Sequence, residues 1–184
     1  LHIDVMDGVF VPNISFGFPL MKTFKQHSTK PLDVHLMIVH PEKYVERFCD
    51  AGAWSVGFHV EAVEDPLPIL ELIKAKGVRT CLTINPDIPA ERLVPYLDKV
   101  DMVLIMSVFA GFGGQKFIPD SLDKIRFIKE EITKRGLSTL IEVDGGVTID
   151  NAASLFAAGA DVLVAGSAIF GADNPMEAIR SMKA

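Results

Sequence analysis

Two stretches decide the fold class of this chain: LHIDVMDG (residues 1–8) and PLDVHLM (residues 31–37). Alternate residues of a β-strand face opposite sides, so His2 and Asp4 share one face, and Asp33 and His35 share one face of the next strand. Central strands of a doubly wound sheet are buried on both faces and are continuously apolar. A parallel barrel instead tolerates polar side chains inside, near its catalytic rim. The alternation therefore favours a barrel.

Apolar runs and helical patterns alternate along the whole chain. The seven runs are LHIDV, PLDVHLM, WSVGFHV, VRTCLTI, MVLIMSV, TLIEVDGG and ADVLVAGS. The segments between them, including PAERLVPYLDKV, carry Pro or polar start signals and predict helices. Strict alternation predicts parallel strands joined by right-handed crossovers. Seven units indicate an α/β fold, either an eightfold barrel that lacks one unit or an open doubly wound sheet, and the polar strand faces favour the barrel.

Composition limits the domain count and the kinds of partner. With 184 residues, 49% of them hydrophobic, we expect one domain over residues 1–184. The net charge of −6, without a Lys/Arg block, argues against nucleic acid or an anionic membrane as partner. Cys49 and Cys81 lack CxxC spacing, which indicates reduced core thiols. We expect no membrane span and a cytoplasmic location, or a plastid one if the source is a photosynthetic eukaryote.

Three strand ends offer metal ligands. His2 and Asp4 lie on the first strand, His35 lies on the second, and Asp144 ends the run LIEVD. Two imidazoles and two carboxylates suit one ion of zinc, iron(II), manganese or cobalt. The alternative is that each is an ordinary hydrogen-bonded core residue. Burying two carboxylates without a cation would cost several kcal/mol, which favours a metal site.

Glycine-rich segments follow three consecutive strands: GFGGQ (111–115), DGG (144–146) and GS (166–167). Their backbone N–H groups, with a following short helix, can cradle a phosphate, and the last two strands of a barrel are a common place for one. The alternative is that these glycines only form turns. The first segment lies in the longest insert, FAGFGGQKFIPD (109–120), which is suited to act as a lid.

Other polar and soft side chains are weaker candidates. His59 and Glu61 point inward near a strand end. They either support the metal ligands from behind or form a structural polar pair. Met6, Met37 and Met106 are at strand ends with inward parity. Methionine is ordinarily core filler, but three that converge near charged ligands would form an apolar lining that excludes water.

The motifs LHIDVMDGVFVPN, DVHLM, HPEKYVERF, GFGGQKFIP, IEVDGGV and VAGSAIF together resemble the ribulose-phosphate 3-epimerase family over essentially the whole chain. The resemblance implies a (β/α)₈ TIM barrel of the ribulose-phosphate-binding type. It implies a metal-dependent isomerase of the pentose phosphate pathway that interconverts D-ribulose 5-phosphate and D-xylulose 5-phosphate. Proton transfer by two carboxylates at carbon 3 would proceed through an enediolate. Such enzymes are usually homo-oligomers, dimers or larger.

The resemblance also implies roles for individual residues. His2, Asp4, His35 and Asp144 would bind one divalent ion, with Asp4 as proton acceptor and Asp144 as donor. The substrate would be held by these residues: His2, His35, Gly111, Phe112, Gly113, Gly114, Gly145, Gly146, Gly166 and Ser167. The lining of the reacting centre would be Met6, Met37 and Met106.

Two departures from the family pattern stand out. Phe109 and Ala110 replace the usual acidic residue or Asn followed by Pro, which predicts a more mobile lid. The family's first strand and helix have no counterpart, so we expect the first βα unit to be absent from this chain and strands 2 to 8 of the barrel to be present.

Three other functions remain open. An allulose-6-phosphate 3-epimerase would use the same machinery on a six-carbon substrate. A decarboxylase or aldol-type synthase of the same barrel type is disfavoured, because the strand ends show no inward Lys. A non-catalytic sugar-phosphate-binding fragment is the alternative of a different class.

Overall fold

The computed structural model describes residues 1–183 and shows one parallel seven-stranded sheet. The strands are β1 (His2–Met6), β2 (Asp33–Met37), β3 (Ser55–His59), β4 (Arg79–Ile84), β5 (Met102–Met106), β6 (Leu140–Asp144) and β7 (Val162–Val164). Each strand pairs in parallel with the next one along the chain. The prediction of parallel strands in sequence order is therefore confirmed.

Helices connect the strands and cover the outer face of the sheet. They are α1 (Phe18–His27), α2 (Val45–Asp50), α3 (Leu67–Ala75), α4 (Ser121–Lys134), α5 (Ile149–Ala158), α6 (Ser167–Phe170) and α7 (Pro175–Lys183). In α4, Ile125, Ile128 and Ile132 recur at helical spacing and are buried, which holds the helix on the sheet. A capping box formed by Thr148 and Asn151 begins α5, and Gly159 ends it in the left-handed conformation.

One predicted helix is wrong. The segment PAERLVPYLDKV forms two short 3₁₀ turns, Ala90–Arg92 and Val94–Tyr96, in place of an α-helix. Pro95 explains the difference, because its ring lacks an N–H and clashes with the carbonyl group four residues earlier. Leu93 and Leu97 are nevertheless fully buried, so the segment still covers the sheet.

The sheet curls so that its first strand approaches its sixth. His2 Nδ1 on β1 lies 3.7 Å from Glu142 Oε1 on β6. A small apolar cluster on the concave side contains Cys81, Met102, Leu104, Met106 and Val108, whereas the large core lies between the sheet and the helices. The concave face carries the polar residues predicted from strand parity. Over residues 1–183, no helix is both long and apolar enough to cross a membrane.

Candidate metal centre and active site

Register brings the predicted metal ligands together. Asp4 on β1 is paired with His35 on β2. Two residues further along the same strands, Met6 is paired with Met37. Curling of the sheet then carries the end of β6 towards these two strands. One ligand atom from each of His2, Asp4, His35 and Asp144 lies within 4.8 Å of the other three. The sequence-based prediction that these residues converge is confirmed, although their role as ligands stays a prediction.

The donor atoms of this cluster fit a cation. His2 Nε2 is buried without a hydrogen-bond partner, although it lies 3.3 Å from Asp4 Oδ1. His35 Nδ1 approaches the same oxygen at 3.0 Å. A buried imidazole nitrogen without a partner is costly in a folded protein, and a metal ion would satisfy it. Two imidazoles and two carboxylates also form a set that zinc, iron(II), manganese and cobalt accept.

Two carboxyl groups behind the cluster support His2. The Nδ1–H group of His2 donates to Asp33 Oδ2 at 2.7 Å. Burial, together with the neighbouring Asp33 carboxylate, raises the pKa of Glu142 well above its usual range. Although burial opposes it, the hydrogen bond from His2 lowers the pKa of Asp33. The Asp33 carboxylate therefore fixes the His2 tautomer that presents Nε2 to the cluster.

Sequence reasoning placed Asp33 on the inner face but gave neither it nor Glu142 a role. The available signal was parity, because Glu142 shares a strand face with Asp144 in LIEVD. His2, Asp33 and Glu142 also form a second group with metal-ligand spacing. The 2.7 Å hydrogen bond already uses the Nδ1 atom of His2, so we interpret this group as support for the first.

The two candidate catalytic carboxyl groups have pKa values displaced in opposite directions. Burial opposes the change, yet the adjacent His2 and His35 imidazole rings lower the pKa of Asp4 well below its usual range. Burial, with the nearby Asp4 carboxylate, raises the pKa of Asp144 to about 6. Burial lowers the pKa of His35 to about 4. At neutral pH the site thus holds an ionised Asp4 beside an Asp144 that is easily protonated.

The metal-type cluster opens into a cavity of about 720 Å³. Its wall includes His2, Asp4 and Asp144, all three predicted lining methionines and the three glycine-rich segments. In full, the predicted site residues on the wall are His2, Asp4, Met6, Met37, Met106, Gly111, Phe112, Gly113, Gly114, Asp144, Gly145, Gly146, Gly166 and Ser167. His35 is 1% exposed and lies behind this wall. One cavity therefore joins the carboxylates to the candidate phosphate cradle.

Close packing holds the DGG turn in place. Gly146 has φ of +63°, and a Cβ atom added there would lie 2.4 Å from Phe117 N. Gly145 has φ of +117°, and a Cβ atom would lie 2.5 Å from Val108 Cγ2. The Ser107 hydroxyl is 2.7 Å from the Gly145 carbonyl oxygen, to which it donates. Glycine is required at both positions for backbone conformation and for space.

The glycine-rich segment after β5 is tied to its surroundings by side-chain amides. Asn13 donates to the Gly111 carbonyl oxygen at 3.0 Å, and Gln115 donates to the Phe109 carbonyl oxygen at 2.7 Å. The Ala110 N–H donates to Asn85 Oδ1 at 3.0 Å. Sequence reasoning gave Asn13, Asn85 and Gln115 no role. Nothing in the local pattern marks Asn13 and Asn85, since their partners lie on another loop, whereas the contact of Gln115 lies within the 109–120 insert.

A model of the Ribulose-phosphate 3 epimerase family matches residues 1–170 of the chain. The chain belongs to this family. The ribulose-phosphate 3-epimerase of Synechocystis sp. is 46% identical over 185 residues, which cover 100% of this chain and 80% of that protein. The Escherichia coli K12 enzyme of the same name is 43% identical over 184 residues, which cover 100% of this chain and 82% of that protein. Both relatives are thus longer than this chain.

Solved structures confirm the barrel type of the sheet. A 3-hexulose-6-phosphate synthase superposes with a TM-score of 0.69 at 19% identity, covering 99% of this chain and 97% of that one. A tryptophan synthase α-subunit from Pyrococcus furiosus gives a TM-score of 0.68 at 21% identity, covering 99% and 82%. These TM-scores show that the chain shares a TIM-barrel-like fold with both enzymes, and identities this low support no conclusion about activity.

Proposed function

We propose that the protein is a ribulose-phosphate 3-epimerase that interconverts D-ribulose 5-phosphate and D-xylulose 5-phosphate. Family membership supports the reaction class, and relatives that span this whole chain carry that name. The observation that carries the proposal is the pair Asp4 and Asp144, which lie in one cavity with pKa values displaced in opposite directions. This is the electrostatic arrangement that a proton acceptor and a proton donor need.

Epimerisation next to a ketone removes a proton from one face of carbon 3 and returns a proton to the other face. In the forward direction Asp4, which is ionised because its pKa is lowered, accepts the first proton. Asp144, which lies at the end of β6 and faces the same cavity, donates the second proton. The roles exchange in the reverse direction. Two carboxyl groups on different strands make the exchange possible without rotation of the enediolate.

His2, Asp4, His35 and Asp144 would hold one divalent ion, for which zinc, iron(II), manganese and cobalt are the candidates. The bound ion would supply Lewis-acid stabilisation of the negative charge that develops on the enediolate. Asp33 orients His2 through its hydrogen bond and keeps Nε2 available. Met6, Met37 and Met106 line the same end of the cavity and would exclude water from the reacting carbon.

The glycine-rich segments would hold the substrate phosphate. Gly111 to Gly114, Gly145, Gly146, Gly166 and Ser167 lie on the cavity wall, where backbone N–H groups can donate to phosphate oxygens. A Cβ atom added at Gly113 or Gly166 would meet no atom within 4 Å, so the wall is open at these positions. The small residues thereby allow a phosphate to approach the backbone.

The proton transfers can be tested by isotope exchange. We expect the metal-loaded protein in D₂O to convert ribulose 5-phosphate into xylulose 5-phosphate that carries solvent deuterium at carbon 3 and at no other carbon. Nuclear magnetic resonance of the recovered sugars measures both. A parallel reaction with allulose 6-phosphate distinguishes the six-carbon alternative. Recovery of unlabelled, unconverted ribulose 5-phosphate would contradict the proposal and favour a sugar-phosphate binder.

We further propose that the complete barrel holds another strand–helix unit between β1 and β7. Over residues 1–183 these strands form the two edges of the sheet, and all three residues of β7 are only partly buried. Open edges of a parallel sheet leave backbone groups unpaired. Adding a strand–helix unit ahead of β1 should slow amide hydrogen exchange in β1 and β7. Unchanged exchange rates in both strands would contradict the proposal.

A further inference from the structure

A buried chain of hydrogen bonds leads away from His35, on the side opposite Asp4. His35 Nε2 lies 2.9 Å from His59 Nε2, and His59 Nδ1 lies 2.9 Å from Glu61 Oε1. The imidazole rings are 1% and 0% exposed, so water does not compete for these contacts. The chain therefore joins a candidate metal ligand to a carboxyl group at the end of β3 that does not line the cavity.

Asn85 fixes the far end of this chain. Its backbone N–H and its Nδ2 donate to Glu61 Oε1 at 3.0 and 2.9 Å, in addition to the contact from His59. Burial opposes the change, but the hydrogen bonds from His59 and Asn85 lower the pKa of Glu61. Glu61 is thus an ionised carboxylate, which can only accept hydrogen bonds.

The carboxylate sets the direction of every hydrogen bond in the chain. His59 Nδ1 must donate to Glu61, so in its neutral form His59 has its acceptor nitrogen at Nε2. His35 Nε2 must then donate to His59, which leaves the lone pair of His35 at Nδ1. That lone pair faces Asp4 Oδ1 at 3.0 Å. Two acceptors face each other there, and a cation is the partner that both accept.

We propose that His59 and Glu61 are positioning residues that keep the Nδ1 lone pair of His35 directed at the metal centre. The inference rests on the proposed metal-dependent function, because it assigns His35 as a ligand. Asp33 orients His2 through one direct hydrogen bond, whereas Glu61 orients His35 through the imidazole of His59. Both histidines of the centre are thereby oriented by carboxylates from outside it.

Substitutions at Glu61 separate this role from a merely structural one. Glu61→Gln keeps an acceptor oxygen for His59, whereas Glu61→Leu removes it. We expect Co²⁺ to bind Glu61→Gln within a few-fold of the parent affinity, and Glu61→Leu about 10 to 100 times more weakly. The visible absorption of bound Co²⁺ measures both. Glu64→Leu, the same change at an exposed position three residues along, is the control and should match the parent.

The histidine tautomers provide a readout that a structural role would not change. In metal-free protein at about pH 8, where unperturbed imidazoles are neutral, we expect ¹⁵N spectra to show His35 protonated at Nε2 and His59 at Nδ1. In Glu61→Leu the Asp4 carboxylate is then the stronger acceptor, so both protons should move, to Nδ1 of His35 and Nε2 of His59. Glu61→Gln should keep the tautomers of the parent.

The outcomes separate failure of this inference from failure of the proposed function. Parent affinity for Co²⁺ in folded Glu61→Leu, the Nδ1 tautomer of His35 in the parent, or no Co²⁺ binding by the parent would overturn the inference. A parent that binds Co²⁺ but exchanges no sugar proton would instead contradict the function. If Glu61→Leu does not fold, His59→Phe removes the acceptor for His35 and His59→Gln restores one, with the same expected loss and rescue.

Discussion

Replacing Asp144 with Asn is expected to lower kcat for epimerisation by about 10² to 10⁴-fold, the usual contribution of a general acid or base. Asn has no carboxyl group and cannot donate the proton that Asp144 is proposed to return to carbon 3. An amide oxygen can still ligate an ion, and the glycine-rich part of the cavity is unchanged. The sugar phosphate should therefore still bind while its conversion stops.

The measurement needs saturating metal and a matched control. Turnover is followed in excess Co²⁺, and binding of ribulose 5-phosphate is measured by calorimetry on the same sample. Asp150→Asn makes the same chemical change on the exposed first turn of α5, and it should keep the parent turnover. Asp144→Asn that turns over at near the parent rate would rule out the two-carboxylate mechanism.

Gly146→Ala is expected to lower the free energy of unfolding by about 2 to 5 kcal/mol, because the strain of a left-handed backbone adds to the cost of overpacking. The added Cβ atom would lie 2.4 Å from Phe117 N and 2.8 Å from Phe117 Cα. These are backbone atoms, so no side-chain rotation relieves the clash. Either the DGG turn or the segment that leads into α4 must move.

Gly136 offers the control for backbone strain alone. Its φ is +64°, against +63° at Gly146, but an added Cβ atom would meet nothing within 4 Å. Gly136→Ala should therefore cost only about 1 to 2 kcal/mol, the strain of the left-handed conformation. Chemical denaturation of both variants gives the two values. Equal losses would show that the contact with Phe117 has no energetic effect.

Strand parity was enough to predict most of the centre. Because residues two apart share a strand face, His2, Asp4 and His35 could be placed inside a parallel barrel from sequence alone. Asp144 followed from its position at a strand end. The structure confirms that these four side chains converge. Strand parity and strand ends are both local features of the sequence, so this part of the prediction did not require the tertiary structure.

Most of the remaining features depend on contacts between distant segments. Asn85 acquires its place because β3 and β4 pair in a register that brings it beside Glu61. The helix predicted over PAERLVPYLDKV fails for a local reason, since Pro95 interrupts it, and this signal was present in the sequence. The support that Asp33 gives to His2 requires both strands in place. Such pairings are set by strand register and sheet curvature, which local sequence patterns do not specify.

The approach of the first strand to the sixth has a thermodynamic consequence. Asp4 and Asp144 are 140 residues apart in the chain, yet both offer an atom to one ion. An ion held by both would act as a reversible cross-link that spans most of the polypeptide. Unfolding would release it, so the stability of the fold would increase with the logarithm of the free-ion concentration. The supply of metal would then govern how long the protein stays folded as well as its catalytic rate.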